Sequence, residues 1–283
     1  MRVGLGIGER VQYVDIDEKN YAGTLNQNNV EIGLTGEAEV RRALEEPVGS
    51  PRLRDIVEPG EKIAVITSDI SRPCPSRLML PALMDELGEA GVSDDDVTVV
   101  FGLGSHRHQT DDERRKLVGD TIYDRVKCID STPEDTVSFG ATKRGTPVDI
   151  SRAVAEADRR ICLANIEYHY FAGYSGGAKS IMPGVSTPGA IQENHRSMVD
   201  PDAYTGHLEG NPVREDIEEA AAMVGADFIL NVVLDEDKRI VKAVAGDMTE
   251  AHRTGCEFLD RLYAVGIGER ADIVIVSQGG APK

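Results

Sequence analysis

Apolar positions along this chain follow two rhythms: short unbroken runs rich in β-branched residues, and longer stretches in which apolar residues recur at helical spacing. The segment "EKIAVITSDISRPCP", residues 61–75, reads as a buried strand over 62–67 that runs into a polar loop, with Pro73 and Pro75 ending regular structure beyond it. "SRLMLPALMDELGEAG" then carries apolar residues at helical spacing, with Gly91 as its terminator. "DVTVVFGLGSHRHQT" repeats the device, and "DDERRKLVG" after it predicts a helix with acidic residues at its start. Further strands are expected in "RRICLANIEYH", in "DFILNVVLD" and, at residues 271–280, in "ADIVIVSQGG". Strands alternating with helices predict an α/β fold with a mostly parallel sheet flanked by helices. Ligands of such sheets gather outside the carboxyl ends of the strands, so the loops after Ser68, Gly104 and Tyr168 are expected to face one crevice.

Length and charge narrow the picture. A chain of 283 residues suffices for one large domain or two smaller ones. The expected division is an N-terminal α/β domain over 1–265 and the beginning of a second α/β domain over 266–283, in the front part of a longer protein. That chain alone is expected to fold but to be poorly active. A formal charge of −18 disfavours nucleic acid and anionic membranes as partners, and an anionic substrate would need a locally basic pocket. The start lacks the apolar core of a signal peptide and no run approaches the roughly 20 apolar residues of a membrane span, so a cytoplasmic protein is expected. Cys74, Cys128, Cys162 and Cys256 are scattered without a CxxC pair, which argues for reduced thiols rather than a zinc ribbon or a disulfide framework.

Candidate chemistry concentrates in "YHYFAGYSGGAKSIMPG", residues 168–184. Within it "GYSGGAKS" nearly spells a phosphate-binding loop, but Ala178 replaces the second glycine, and Pro183 and Gly184 interrupt the chain where a helix should open. A nucleotide-hydrolysing enzyme is disfavoured on that ground. The glycines still permit close backbone approach to a ligand and leave Lys179 on a loop wall. His169 lies ten residues before Lys179 and His195 sixteen after it, in "IQENHRS". "GSHRHQT" adds His106 and His108 on a second strand-end loop. His207 has weaker context, and His252 in "TEAHRTG" is expected on a helix surface. "SDISRPCP" supplies Asp69, Ser71 and Arg72: the guanidinium suits a carboxylate or phosphate, and Asp69 can accept from ribose hydroxyls or orient a neighbour. In "HLEGNPVREDIEEAA" Asn211 is a candidate helix cap with Pro212 at the first helical position, and the helix carboxylates are expected on its solvated face.

Taken together, "SDISRPCP", "GSHRHQT", "YHYFAGYSGGAKSIMPG" and "ENH", in this order, closely resemble the nickel-dependent lactate racemase family across roughly residues 1–283. "SRP" stands where the family has "TRP", and Ser71 keeps the hydroxyl. The resemblance implies nickel and a nickel-pincer nucleotide, pyridinium-3,5-bisthiocarboxylic acid mononucleotide, attached to Lys179. It implies His195 as the metal ligand and His106 and His169 as the paired acid/base histidines, with His108 an alternative to His106. Asp69, Arg72 and Ser175 become cofactor-binding residues, with Arg72 also facing the substrate. The partners implied are a small anionic hydroxy acid and the proteins of cofactor biosynthesis. The activity implied is racemisation or epimerisation of a 2-hydroxy acid, in which the cofactor takes and returns the Cα hydride and a histidine takes the hydroxyl proton, so that no carbanion forms beside a carboxylate. A scaffold that binds ligand without chemistry is the alternative. Tyr168, Tyr170 and Phe171 either line the pocket wall or pack beneath the loop.

Overall fold

In the computed structural model, residues 1–7, 10–72 and 74–277 are described. Two compact units result, one of residues 1–31 with 260–283 and one of residues 32–259. In the first, β1 (Arg2–Ile7) and β2 (Arg10–Asp15) form an antiparallel hairpin. The Asn28 amide donates to the carbonyls of Arg261 and Ala264.

The second unit is built on strands β3 (Ile63–Ser68), β4 (Val97–Gly102), β5 (Lys127–Asp130), β8 (Arg159–Asn165), β11 (Phe228–Leu234) and β12 (Ile240–Gly246). They form one sheet in the order β12-β11-β8-β3-β4-β5, in which only the β11–β12 pair is antiparallel. A second hairpin, β6 (Thr136–Ala141) and β7 (Pro147–Ser151), stands apart, and β9 (Tyr168–His169) pairs with β10 (Gly173–Tyr174) in a two-residue ladder. The helices are α1 (Gly36–Glu45), α2 (Ser76–Glu89), α3 (Asp111–Val118), α4 (Asp120–Arg125), α5 (Arg152–Ala155), α6 (Pro188–His195), α7 (Pro212–Val224) and α8 (Glu250–Tyr263). The sheet is mostly parallel and flanked by helices.

Alternation along each strand decides what lies on either face. Ile63 and Val65, Val97, Val99 and Phe101, Ile161 and Leu163, Phe228, Leu230 and Val232 turn to one side and make a continuous core with Val40 and Leu44 of α1 and Leu80, Leu83 and Leu87 of α2. Each large side chain so buried contributes about 1.5–3 kcal/mol. Across α1, Glu39 accepts from the Ala243 amide and Arg42 donates to its carbonyl, tying the helix to β12. The residues between, among them Ala64, Ile66, Cys162, Ala164 and Asn231, are buried on the opposite face, and there the glycine-rich segment lies. The Gly177 amide donates to Oδ1 of Asn231, whose Nδ2 in turn donates to the Cys162 carbonyl.

The expected helices and their caps are present: Gly91 takes φ +82° at the end of α2, and Asn211 caps α7 by accepting from the amides of Val213 and Arg214, with Pro212 at the first position. Pro73 lies outside the described residues. Two expectations need correction. Residues 271–277 form no strand: Ile273, Val274 and Val276 are at least 75% exposed, and among the described residues no neighbouring strand pairs with their backbone. Residues 278–283 lie outside the described ones. "RRICLANIEYH" divides at Ile166, because the chain leaves the sheet after Asn165 and turns into β9. Strands β5 and β12 and the two outer hairpins were not expected from the apolar pattern. The four cysteines are free thiols.

Candidate active site

Three adjacent parallel strands, β8, β3 and β4, end side by side, and the loops leaving them supply one cavity of about 160 Å³. Asp69, Arg72, His106, His169, Ser175, Lys179 and His195 all line it. His106 follows β4 and His169 follows β8, so the two imidazoles flank β3 on its two sides.

Asp69 is 3% exposed and holds three donors. Its Oδ1 accepts from the Ser71 amide at 2.9 Å and the Ser71 hydroxyl at 2.6 Å, and its Oδ2 faces Nδ1 of His106. Asp69 thus orients a neighbour: an ionised carboxylate accepts only, so Nδ1 carries the proton and Nε2 of His106 keeps its lone pair. His108 takes a different partner. Its Nδ1 lies 3.2 Å from Asp130, a carboxylate also held by the amide and side chain of Gln109, and its ring is not among those lining the cavity. The Arg72 guanidinium is exposed and, among the described residues, has no ion-pair partner.

The glycine-rich segment is shaped by close approaches. A Cβ on Gly176 would come within 2.7 Å of Oδ1 of Asn231, and one on Gly184 within 2.2 Å of the Ser180 carbonyl oxygen. Ser175 braces the loop: its hydroxyl accepts from the Glu167 amide and donates to the Asn165 carbonyl. Lys179 sits on a short 3₁₀ turn, Gly177–Ser180, rather than at the start of an α-helix, which removes the geometry a phosphate-binding loop needs. Its ammonium lies 5.9 Å from the centre of the Phe171 ring and has no hydrogen bond or ion pair among the described residues. Burial first, then the charges of Arg214 and Arg72, hold the amine well below the ordinary lysine range, against a weaker opposing pull from Glu167.

Phe171 is buried behind two of the lining imidazoles and does not itself line the cavity. Its ring centre lies 4.5 Å from that of His169 and 4.9 Å from that of His195, both edge-on. Tyr170 is 75% exposed and stacks on His169, while Tyr168 packs on Tyr174. Burial, and next the charge of Lys179, push His169 down to about 3. The same two causes lower His195. The Nδ1 atom of His169 accepts from the Ala172 amide at 3.3 Å, which leaves the proton of the neutral ring on Nε2.

Several residues that matter here were not singled out by sequence. Asn165, at the end of β8, lines the cavity. Arg214 is fully buried beneath the loop and donates to the carbonyls of Ala172 and Tyr174; burial lowers it to about 10. His252, expected on a helix surface, is 1% exposed and lies 2.8 Å from the Ser175 carbonyl. It belongs to the apolar stripe of α8 with Ala251 and Cys256, and burial holds it well below the ordinary histidine range. Asp216 is likewise buried rather than solvated. His207 stacks on Tyr204 and is not among the residues lining the cavity.

An acidic α/β protein has thus gathered an amine, three imidazoles and a guanidinium around one cavity at the ends of three parallel strands. Residues 7–206 match the lactate racemase N-terminal domain. The chain belongs to the lactate racemase family. It is 38% identical over 275 residues to the lactate racemase of Thermoanaerobacterium thermosaccharolyticum, covering 95% of this chain and 64% of that one. With the lactate racemase of Lactiplantibacillus plantarum it shares 34% identity, over 99% of this chain and 67% of the other. The structure of the T. thermosaccharolyticum lactate racemase apoprotein superimposes with a TM-score of 0.83 at 35% identity, over 93% of this chain and 63% of that chain. A Thermotoga maritima protein, at 23% identity and a TM-score of 0.66, shares the fold. This chain therefore spans about two thirds of the length of its relatives. Among the described residues no helix is long and apolar enough to cross a membrane.

Proposed function

We propose that this chain is the cofactor-anchoring portion of a racemase or epimerase of lactate or a related 2-hydroxy acid. The observation that carries the reading is Lys179: an amine in the wall of a cavity, stripped of partners and held towards its neutral, nucleophilic form by burial and by Arg214 and Arg72. Such an amine suits acylation by one arm of a nickel-pincer nucleotide. His195 fits the remaining nickel position, because a neutral imidazole is a good ligand for that metal. Among the described residues no group of three or more His, Cys, Asp and Glu could hold a metal by itself, so a metal at this site needs further donors of the kind the nucleotide carries.

When bound, that group supplies a hydride acceptor, which spares Cα a carbanion beside a carboxylate. The chain's own residues do the rest. Arg72, at the mouth, clamps the substrate carboxylate through its planar fork. His106, with Nδ1 held on Asp69, offers Nε2 to the proton of the substrate hydroxyl oxygen. His169, on the other side of β3, presents Nε2–H and donates to the keto oxygen; to take a proton from the opposite face its ring must exchange that proton or give up the Ala172 amide. Two imidazoles on two sides serve the two faces of a planar keto acid. Phe171, with its neighbours, excludes water from the wall between His169 and His195. We place the protein in the cytoplasm, where cofactor-biosynthesis proteins would load it.

The test is scrambling of configuration in a panel of enantiopure 2-hydroxy acids by the full-length protein from a cofactor-producing host, with Lys179→Ala as control. Interconversion that disappears in the control is expected. Ligand binding with no loss of optical purity for any acid would instead favour a scaffold without chemistry.

A further inference from the structure

His195 ends α6 with one ring nitrogen already engaged inside the protein: Nδ1 lies 3.2 Å from Oδ1 of Asn194. A neutral imidazole has two tautomers, and the partner of Nδ1 selects between them. An asparagine can ordinarily be turned end for end, presenting either its oxygen or its amide group. Asn194 cannot. It is 1% exposed, and its Nδ2 meets two acceptors, the Val213 carbonyl at 3.2 Å and Oδ2 of Asp216 at 2.7 Å. Turning it would set oxygen against a carbonyl and a carboxylate with no proton between them, and burial makes each unpaired group costly.

Asp216 is fixed in its turn. It is 2% exposed and accepts the hydroxyls of Thr142 and Thr146, the latter at 2.7 Å. Those threonines close the turn of the β6–β7 hairpin, with the Thr142 amide on the Thr146 carbonyl at 2.9 Å. Donors therefore run one way only, from the hairpin to Asp216 and from Asn194 to Asp216, which leaves the Asn194 oxygen for His195. An acceptor facing Nδ1 requires the ring to bring the proton.

We propose that Asp216 and Asn194 are positioning residues that hold His195 as its Nδ1–H tautomer and so present the Nε2 lone pair to the cavity. This rests on the reading of His195 as the nickel ligand and deepens it, naming the nitrogen and what selects it. An acceptor on Nδ1 also makes Nε2 the stronger donor to a metal.

Long-range ¹H–¹⁵N NMR of the cofactor-free 283-residue chain, labelled with ¹⁵N histidine and assigned by the loss of one spin system in His195→Gln, reads the tautomer directly. A protonated Nδ1 with an unprotonated Nε2 is expected in the wild type. Asn194→Leu, which removes the acceptor from His195 and the donor from Asp216 together, should let the Nε2–H tautomer grow to a comparable population; Asn194→Ser, smaller and gentler on packing, should do the same. A proton on Nε2 in the wild type overturns the proposal, even if neither variant folds. So does an unchanged tautomer ratio in a folded variant. Nickel is not read in this experiment: the expected tautomer combined with no nickel at His195 in loaded protein would count against the functional reading and leave the positioning intact.

Discussion

Asp69→Asn exchanges one carboxylate oxygen for an amide nitrogen at the group that holds His106. The Ser71 amide can only donate, so it keeps the remaining oxygen on its own side, together with the Ser71 hydroxyl. The new NH₂ group then faces Nδ1 of His106, where the carboxylate had accepted. Two donors cannot share that contact, so the ring must move its proton to Nε2 and turn Nδ1 into the acceptor. The loss has two parts. A hydrogen bond to a charged group, worth about 1.5–3 kcal/mol, disappears, and the base nitrogen facing the cavity is capped by a proton. A positioned proton-transfer group contributes about 10²–10⁴-fold, and kcat/KM for the interconversion should fall within that span. KM should move little, because the proposed reading gives the grip on the carboxylate to Arg72 and not to Asp69. The assay is the initial rate of racemisation by cofactor-loaded enzyme in both directions, with thermal unfolding to confirm that Ser71 still holds the loop. Retention of kcat/KM within about tenfold, roughly 1.4 kcal/mol of barrier, would refute the reasoning.

Further outcomes follow from the same geometry. In Lys179→Met the second-largest cause of the His169 depression is gone, so its titration by NMR should rise from about 3 towards the ordinary value of 6.5; no rise would mean that burial and the charges of Arg72 and Arg214 set it without Lys179. Because His169 is depressed in the fold, the unfolded chain takes up its proton first as pH falls below 6.5, so stability should decline from pH 6.5 towards 3. Denaturant titrations should show that slope flattened in His169→Gln. Gly184→Ala, which sets a Cβ 2.2 Å from the Ser180 carbonyl oxygen, should cost at least about 1–3 kcal/mol by the same titration. Arg214→Met removes the guanidinium donor to the carbonyls of Ala172 and Tyr174 and should destabilise by about 1–3 kcal/mol, while acylation of Lys179 by an amine-directed reagent at neutral pH should slow.

How much of this was legible in the sequence depended on whether a residue's neighbours were local. Strands β3, β4, β8 and β11 are predominantly apolar runs, as expected of strands buried on both faces, and they announce themselves. "KCID" of β5 is four residues with a charge at each end, and it is a strand only because β4 lies beside it. The strand expected at 271–277 had the composition without a partner. At the site, the loops were expected to bring His106, His108, His169 and His195 to one crevice; His106, His169, Lys179 and His195 line the cavity and His108 does not. Which histidine of "GSHRHQT" turns inward was open, because the answer sits in distant carboxylates: Asp69 takes His106 and Asp130 takes His108. Arg214 was passed over, and Asp216 and His252 were misread, for one reason. Polar residues on amphipathic helices usually face water, and these three are buried because loop carbonyls, Asn194 and the threonines of a hairpin supply their partners.

The account stands most directly on the state of Lys179. Protein from a cofactor-producing host, digested and analysed by mass spectrometry alongside nickel determination, should show the nucleotide's mass on the peptide containing Lys179, with nickel in proportion and neither present in Lys179→Ala. An unmodified Lys179 in protein that nonetheless racemises a 2-hydroxy acid would contradict it.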